Sequence, residues 1–479
     1  MPNVAKNRYG MTMGTSSPRA AERCQDGIDL LLSQGYGPEE KFQEAIEIDE
    51  GFALAHGCLG YMYMLRAQAD QAREAAEHAL SLAPGISRRE RQHIEAISLW
   101  IHGRGTASLA LTKEHLAEFP QDALMIRLAQ RLYMLGCSGA GVANFPAELL
   151  ALLNSIAPHC GEDWAFLGSY AFAHHENGYL DQAMVLARRS LDLNPSNAVA
   201  SHSVTHVYFE KGEHHEGDEF LGEWIQGFDS RAPYHVHLSW HLALFELAMG
   251  RYSDAIALYE KDIRPSVIAK SAASLADAAS LMWRLQIYCG EAPPMSWEEV
   301  RVQGAPAAER PGPAFRDAHA ALAFIASGDT ENRDKLLNRL QQEASKGNLL
   351  AREITLPLVR GVDAFAQGDY PKAVEMLEPV FPQLTRIGGS HAQREVFEDT
   401  LLEAYLRAEQ LDKAEEMLRS RLMQRASPRD TFWLGRVQAG KGEMEQARDT
   451  LGQASESWLN GDPTSPELTR LKQLAGTLP

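Results

Sequence analysis

The sequence predicts an all-α chain, a right-handed α-solenoid of helical hairpins, on three observations. A step of small residues recurs: Gly178 and Ala183 are followed thirty-four residues later by Gly212 and Gly217, and Tyr170 and Val204 keep the same offset. Thirty-four residues is the tetratricopeptide period, in which a helix-turn-helix unit cannot bury its own apolar face and stacks on its neighbours. Alanine and leucine dominate while valine-rich alternating runs are scarce, which favours helix over sheet. At 479 residues the chain exceeds the size at which one globular core keeps growing, and an array of repeats resolves that difficulty.

Taken in order, residues 1–18 read as a flexible leader with no apolar core of signal-peptide length. N-terminal tetratricopeptide-like repeats are expected over 19–290. PEEKFQEAIEIDEG is the second helix of a degenerate starting unit, and residues 52–84 form the first clear one. There Leu59-Gly60 marks the close-packed point of the first helix, Ala72 and Ala79 lie where the second crosses it, and Pro84 ends it. Less regular hairpins run over 89–136, residues 137–160 interrupt the period, and good units start at about 163, 197 and 235. A further unit begins near Ala276 and ends at Gly290. Residues 291–313, rich in Pro, Ala and Glu, read as an irregular connection and the place for any domain boundary. C-terminal repeats are expected over 314–479 as a continuation of the same solenoid, with Gly368 and Ala373 restoring the five-residue step. The last residues are expected to cap the array with a polar face.

With 46 Lys and Arg against 64 Asp and Glu, the net charge of −18 argues against nucleic acid and anionic membranes as partners. Five cysteines (Cys24, Cys58, Cys137, Cys160, Cys289) lack metal-type spacing and read as reduced packing residues. No stretch approaches a membrane span, so a cytoplasmic location is expected. Oligomeric state is not legible. Walker, dinucleotide and G-x-S-x-G motifs are absent, which removes nucleotide and serine-hydrolase chemistry.

The repeat then serves as a ruler. If the Leu-Gly point of each first helix is numbered seven and eight, positions two, five, nine and twelve face the concave groove. His202, His206 and Glu210 fall at five, nine and thirteen of one repeat; His237 and His241 fall at two and six of the next. Residues four apart stack on one helix face, so two H-x-x-x-H pairs are expected to converge. Asp277 and Arg284, at positions two and nine of the following repeat, would tune these imidazoles, and Trp240 and Trp283 would supply an apolar wall. Asp317 and His319 open a later first helix.

Three readings of this constellation stay open. It binds a small polar ligand or peptide; it performs acid-base or metal-assisted hydrolysis or lyase chemistry; or its imidazoles bond between helices. No cofactor is legible and no metal is assigned; if a divalent metal is bound, His202, His206, His237 and His241 would be its ligands. His174, His175, His214 and His215 read as solvent-facing helix caps, His56 as structural, and SRRERQH (87–93) as a solvated face. In GGSHAQREVF, Ser390 and Gln393 read as a capping box, and Arg394 is a candidate groove residue or a member of an inter-repeat ion pair.

The blocks SRRERQH, SHSVTHVYFEKG, HLSWHLALFELAMGRYSDAIALYEKDIRPS, DAASLMWRLQ, FRDAHAAL, AREITLPL and GGSHAQREVF, in this order, resemble the tetratricopeptide repeat protein thirty-eight family over nearly the full length. The resemblance implies a full-length solenoid and no firmly established activity. Its typical residues would here be His202, His206, His237, His241, Asp277, Arg284, Asp317, His319, Gln393 and Arg394.

Overall fold

The computed structural model describes residues 5–290 and 293–477. Among them the chain is all-α, with one isolated bridge between Lys6 and Thr12 and no strand. No described helix is long and apolar enough to cross a membrane. The tetratricopeptide-like α-solenoid class is therefore observed, its helical hairpins lying in two compact units. The first unit runs to Val204 and takes in Gly227–His235; the second is Thr205–Gln226 with the chain from Val236 onward.

In the first unit, α1 (Pro18–Ser33) pairs with α2 (Pro38–Ile48), α3 (Ala53–Leu65) with α4 (Ala69–Leu82), and α5 (Arg88–Ile101) with α6 (Gly105–Glu118). The interruption at 137–160 is a short helix, α8 (Cys137–Ala140), and a longer one, α9 (Phe145–Cys160), packed beside α7 (Ala123–Met134). The hairpin of α10 (Trp164–His175) and α11 (Leu180–Leu193) follows, and α12 (Ala198–Lys211) passes into the second unit. The core of this unit is lined by Phe42, Phe52, Leu128, Phe145 and Phe172. Each such side chain contributes roughly 1.5–3 kcal/mol by leaving water.

The second unit continues with α13 (His214–Ile225), α14 (Pro233–Ala248, from Val236), α15 (Tyr252–Leu258), α16 (Arg264–Ile268) and α17 (Ser274–Cys289). Then come α18 (Glu298–Glu309), α19 (Ala314–Ser327), α20 (Thr330–Ser345), α21 (Leu356–Ala366) and α22 (Tyr370–Leu377). The last helices are α23 (His391–Arg407), α24 (Leu411–Gln424), α25 (Pro428–Lys441), α26 (Met444–Ser457) and α27 (Pro466–Thr477). α17 packs on α19, α23 and α27, which brings side chains distant in sequence to one place.

The thirty-four-residue step has a direct cause. Gly178 (φ 78°) and Gly212 (φ 74°) end first helices in the left-handed conformation, which side chains with a Cβ rarely adopt. Five residues later Ala183 is fully buried where the second helix crosses. A closer approach occurs at Gly105, where an added Cβ would lie 1.9 Å from the Gly139 carbonyl oxygen. Gly105→Ala is expected to cost about 3 kcal/mol, because backbone must move. Gly222→Ala, with nothing within 4 Å on α13, is expected to gain about 0.5–1 kcal/mol. Urea midpoints of the two variants check this, and equal shifts would remove the steric account.

Several expectations meet a different environment. Of the leader, residues 1–4 lie outside the described residues, while Met13 (2 % exposed) and Thr15 (7 %) are packed into the first unit. SRRERQH is not a solvated face: Arg89, Glu90, Gln92 and His93 are all buried, and Arg89 donates to Asp122 Oδ2 (2.7 Å) and to the Thr12 carbonyl (3.0 Å). Periodicity around α5 cannot reveal this, because the partners come from the N-terminal loop and from Asp122. His175 and His214 are buried rather than solvent-facing, whereas His215 is exposed. Within 291–313, residues 291–292 lie outside the described residues, and Glu298–Glu309 forms α18 where an irregular connection was expected.

Candidate functional site

The boundary between the units falls inside α12, so that His202 belongs to the first unit and His206 to the second. His202 is 2 % exposed and stacks on Phe172, with ring centroids 6.2 Å apart, while Tyr234 meets it edge-on at 5.4 Å.

In the second unit, α12, α14 and α17 gather His206, His237, His241 and Asp277. The His206 and His241 rings are 4.6 Å apart, and the His241 and His237 rings 4.9 Å apart. His237 Nδ1 donates to Asp277 Oδ2 at 2.9 Å, and Gln393 Nε2 donates to Asp277 Oδ1 at 3.4 Å. With Nδ1–H donating to a carboxylate, the orientation of the His237 ring is set by Asp277. Trp240 stacks on His237 at 5.4 Å and spends its own N–H on Ser280 Oγ (3.1 Å), so the indole forms a fixed wall. Burial holds the His206 imidazole well below its ordinary range, and His237, His391 and Arg394 push the same way. His206 is consequently neutral at neutral pH. His206 and His241 are the two imidazoles of this unit placed to share a metal ion.

Glu210 has a partner that the repeat register did not single out. His391, at the start of α23, donates from Nδ1 to Glu210 Oε1 at 2.9 Å, and its Nε2 is 3.8 Å from Glu398. Glu210 raises the His391 imidazole well above its usual range. Burial would lift the Glu210 carboxyl, but His391 overrides it and keeps it low. The signal for His391 stood in the GGSHAQREVF block, yet the partner is 181 residues away and no local spacing points to it. The capping box of Ser390 and Gln393 is formed as expected. Arg394 donates to the Gly389 carbonyl, anchoring the same turn.

The remaining candidates have partners of their own, and His319 lies near enough to Asp277 for that carboxylate to act on its imidazole. Trp283 is a core residue whose N–H is spent on Thr400 Oγ1 (3.0 Å). Arg284 lies over the Trp240 ring (5.8 Å to its centroid), donates to the Ala392 carbonyl at 2.6 Å and lines a cavity whose walls include none of His206, His237 and His241. Asp317 accepts from the Gly312 N–H and from Arg316 (3.3 Å), and burial pushes its carboxyl up to about 6. His319 sits between Phe315 and Phe397 with Nδ1 donating to the Phe315 carbonyl (2.7 Å), and burial pushes it down to about 4. Asp317 ties the Gly312 turn to the first turn of α19. Position along a helix told which way these residues point, and the packing partner decided what they meet.

No family model matches the chain. Among solved structures it is similar to the human IFIT1 dimer with m7Gppp-AAAA, at 15% identity over 91% of this chain and 95% of that chain, with a TM-score of 0.42. It is also similar to yeast Tom70, at 13% identity over 96% of this chain and 95% of that chain, with a TM-score of 0.35. At these values no residue, ligand or partner carries over to this chain.

Proposed function

We propose that the second unit binds a small polar molecule at the His206, His237, His241 and Asp277 cluster. The observation that carries this reading is the Asp277 carboxylate holding His237 in one orientation, within an unbroken chain of three imidazoles. Three adjoining imidazoles beside a carboxylate form a polar surface matched to a ligand rich in hydroxyl, amide or carboxylate groups. The ordered resemblance to the tetratricopeptide repeat protein thirty-eight family supports the same residues. The net charge of −18 supports a small molecule over nucleic acid.

Histidine ring resonances, followed while a panel of small carboxylic acids, amino acids and sugars is titrated, test the proposal. At least one compound is expected to shift His206, His237 and His241 together. Its affinity is expected to fall about ten- to a hundredfold in His237→Ala, corresponding to one lost hydrogen bond of a charged pair. Hits that bind the variant equally well, or that move only exposed rings such as His215, overturn it.

A second reading, acid-base catalysis, is favoured by the same 2.9 Å contact, since a carboxylate-oriented imidazole is the arrangement of a general base. Hydrolysis or elimination of the bound compound, abolished in Asp277→Asn with binding retained, would distinguish it.

A further inference from the structure

A cavity of about 30 Å³ lies in the second unit, lined by four guanidinium groups, Arg284, Arg421, Arg425 and Arg429, together with Glu395 and Asp430. Three of the four guanidiniums have carboxylate partners. Arg421 reaches Asp399 (2.8 Å), Asp430 (3.0 Å) and Glu395 (3.2 Å). Arg429 pairs with Glu467 through Nε (3.1 and 3.0 Å) and Nη2 (2.9 Å), and Nη2 donates to the Leu247 carbonyl at 2.7 Å. Arg425 pairs with Glu395 through Nη2 alone. Arg284, 1 % exposed, has a single carbonyl on Nη2 and no carboxylate.

Two donors are left over. Arg284 Nη1 and Arg425 Nη1 are both buried without a hydrogen-bond partner, and both residues line this cavity. A buried guanidinium proton without an acceptor costs several kcal/mol, more than a neutral donor, because charge is left uncompensated. The neighbouring acceptors are already used: Asp399 also takes the Tyr288 hydroxyl (2.6 Å), and Glu467 takes the Tyr252 hydroxyl. Asp430 on the same wall is held by Arg421 through Oδ2 (3.0 Å), and its Oδ1 has no partner. About 10–15 Å³ of such space admits one water, so the cavity has room for one small ion and little else.

From the two unmatched guanidinium donors converging on one cavity, we propose that it is a site for a small monovalent inorganic anion of halide size, bridging Arg284 and Arg425. Water would supply an acceptor alone; an anion also adds negative charge beside Arg284, which has no hydrogen-bonded carboxylate and feels Glu395 only in common with Arg421 and Arg425. The site is distinct from the histidine cluster and would lock α17 (Arg284) to the end of α24 (Arg425), beside the pair of α25 with α27 (Arg429 and Glu467).

Crystals of the full chain grown or soaked in bromide provide the test, read by anomalous scattering at the bromine edge. An anomalous peak between the two Nη1 atoms is expected; ordinary water density with no anomalous signal overturns the proposal. In solution, replacing a bulky organic anion by chloride at constant ionic strength is expected to raise Tm by roughly 2–4 °C and to saturate. Arg425→Met is expected to abolish the rise. An unsaturating rise that persists in the variant is general salt stabilisation and overturns it. If the variant does not fold, the bromide peak in the wild-type crystal decides alone.

Discussion

Lowering the pH from about 6.5 to about 4 is expected to destabilise the first unit by about 3 kcal/mol through His93 alone. This ring is 1 % exposed, and neither nitrogen has a hydrogen-bond partner. Burial holds it at about 4 against an ordinary 6.5, outweighing the attraction of Asp122 at 3.7 Å. In that window the unfolded chain binds a proton that the folded chain refuses, so stability falls as pH falls. At 1.36 kcal/mol per tenfold change in proton affinity the gap amounts to about 3 kcal/mol. Glu90 works the other way, since burial raises its carboxyl and favours the folded state at low pH. Asp122 adds nothing in this window: burial would raise it, but His93, His115 and Arg89 hold it far below the usual range, so its contribution is lost only in stronger acid. Urea midpoints between pH 7.5 and 4, compared for wild type and His93→Leu, isolate the imidazole. A variant whose pH dependence matches wild type would sink the argument. In the second unit His319 and His214, held at about 4 and about 3 by burial, act in the same direction as His93. Asp317, raised to about 6 by burial, opposes them between about 4 and 6.

Arg421→Ala is expected to cost about 3–5 kcal/mol, with the second unit losing cooperative unfolding in the wild-type temperature range. A single guanidinium faces Asp399, Asp430 and Glu395, whose side chains are 1, 0 and 5 % exposed. Removing it leaves three buried carboxylates with too little positive charge, and their mutual repulsion adds to the desolvation already spent on each. Replacing both an acid and the base is milder, because no lone buried charge remains. The double variant Arg421→Met, Asp399→Leu is accordingly expected to recover part of the loss. Thermal unfolding of the three proteins measures this, and a loss below about 1 kcal/mol in Arg421→Ala would show the cluster to be screened by solvent.

Much of the architecture was legible in the residues themselves. Gly178 and Gly212 announce helix ends because the left-handed conformation excludes most side chains. Leu59-Gly60, with Ala72 opposite, announces a helix crossing: a Cβ on Gly60 would lie 3.3 Å from the Ala72 carbonyl oxygen. Ser390 and Gln393 announce a cap. Each is an interaction within a few residues or within one hairpin, so spacing along the chain encodes it. Of the candidate site, the edge-to-face contact of His237 with His241 was also legible from their four-residue spacing on one helix, and the approach of Asp277 from the register of the next repeat.

The sequence by itself determined the helices, their hairpin pairing and which positions face inward. Only the tertiary structure decided what those inward positions meet. Arg284 and the histidines share the inward side of their repeats, yet Arg284 turns to Ala392 and the arginine cavity. Glu210 waits for His391, and SRRERQH is buried by the Thr12 carbonyl and Asp122. The physical reason is that helix periodicity is a local property, fixed by bonds four residues apart. A buried charge instead finds its partner on whichever helix packs against it, and that follows from the stacking of hairpins far apart in the chain.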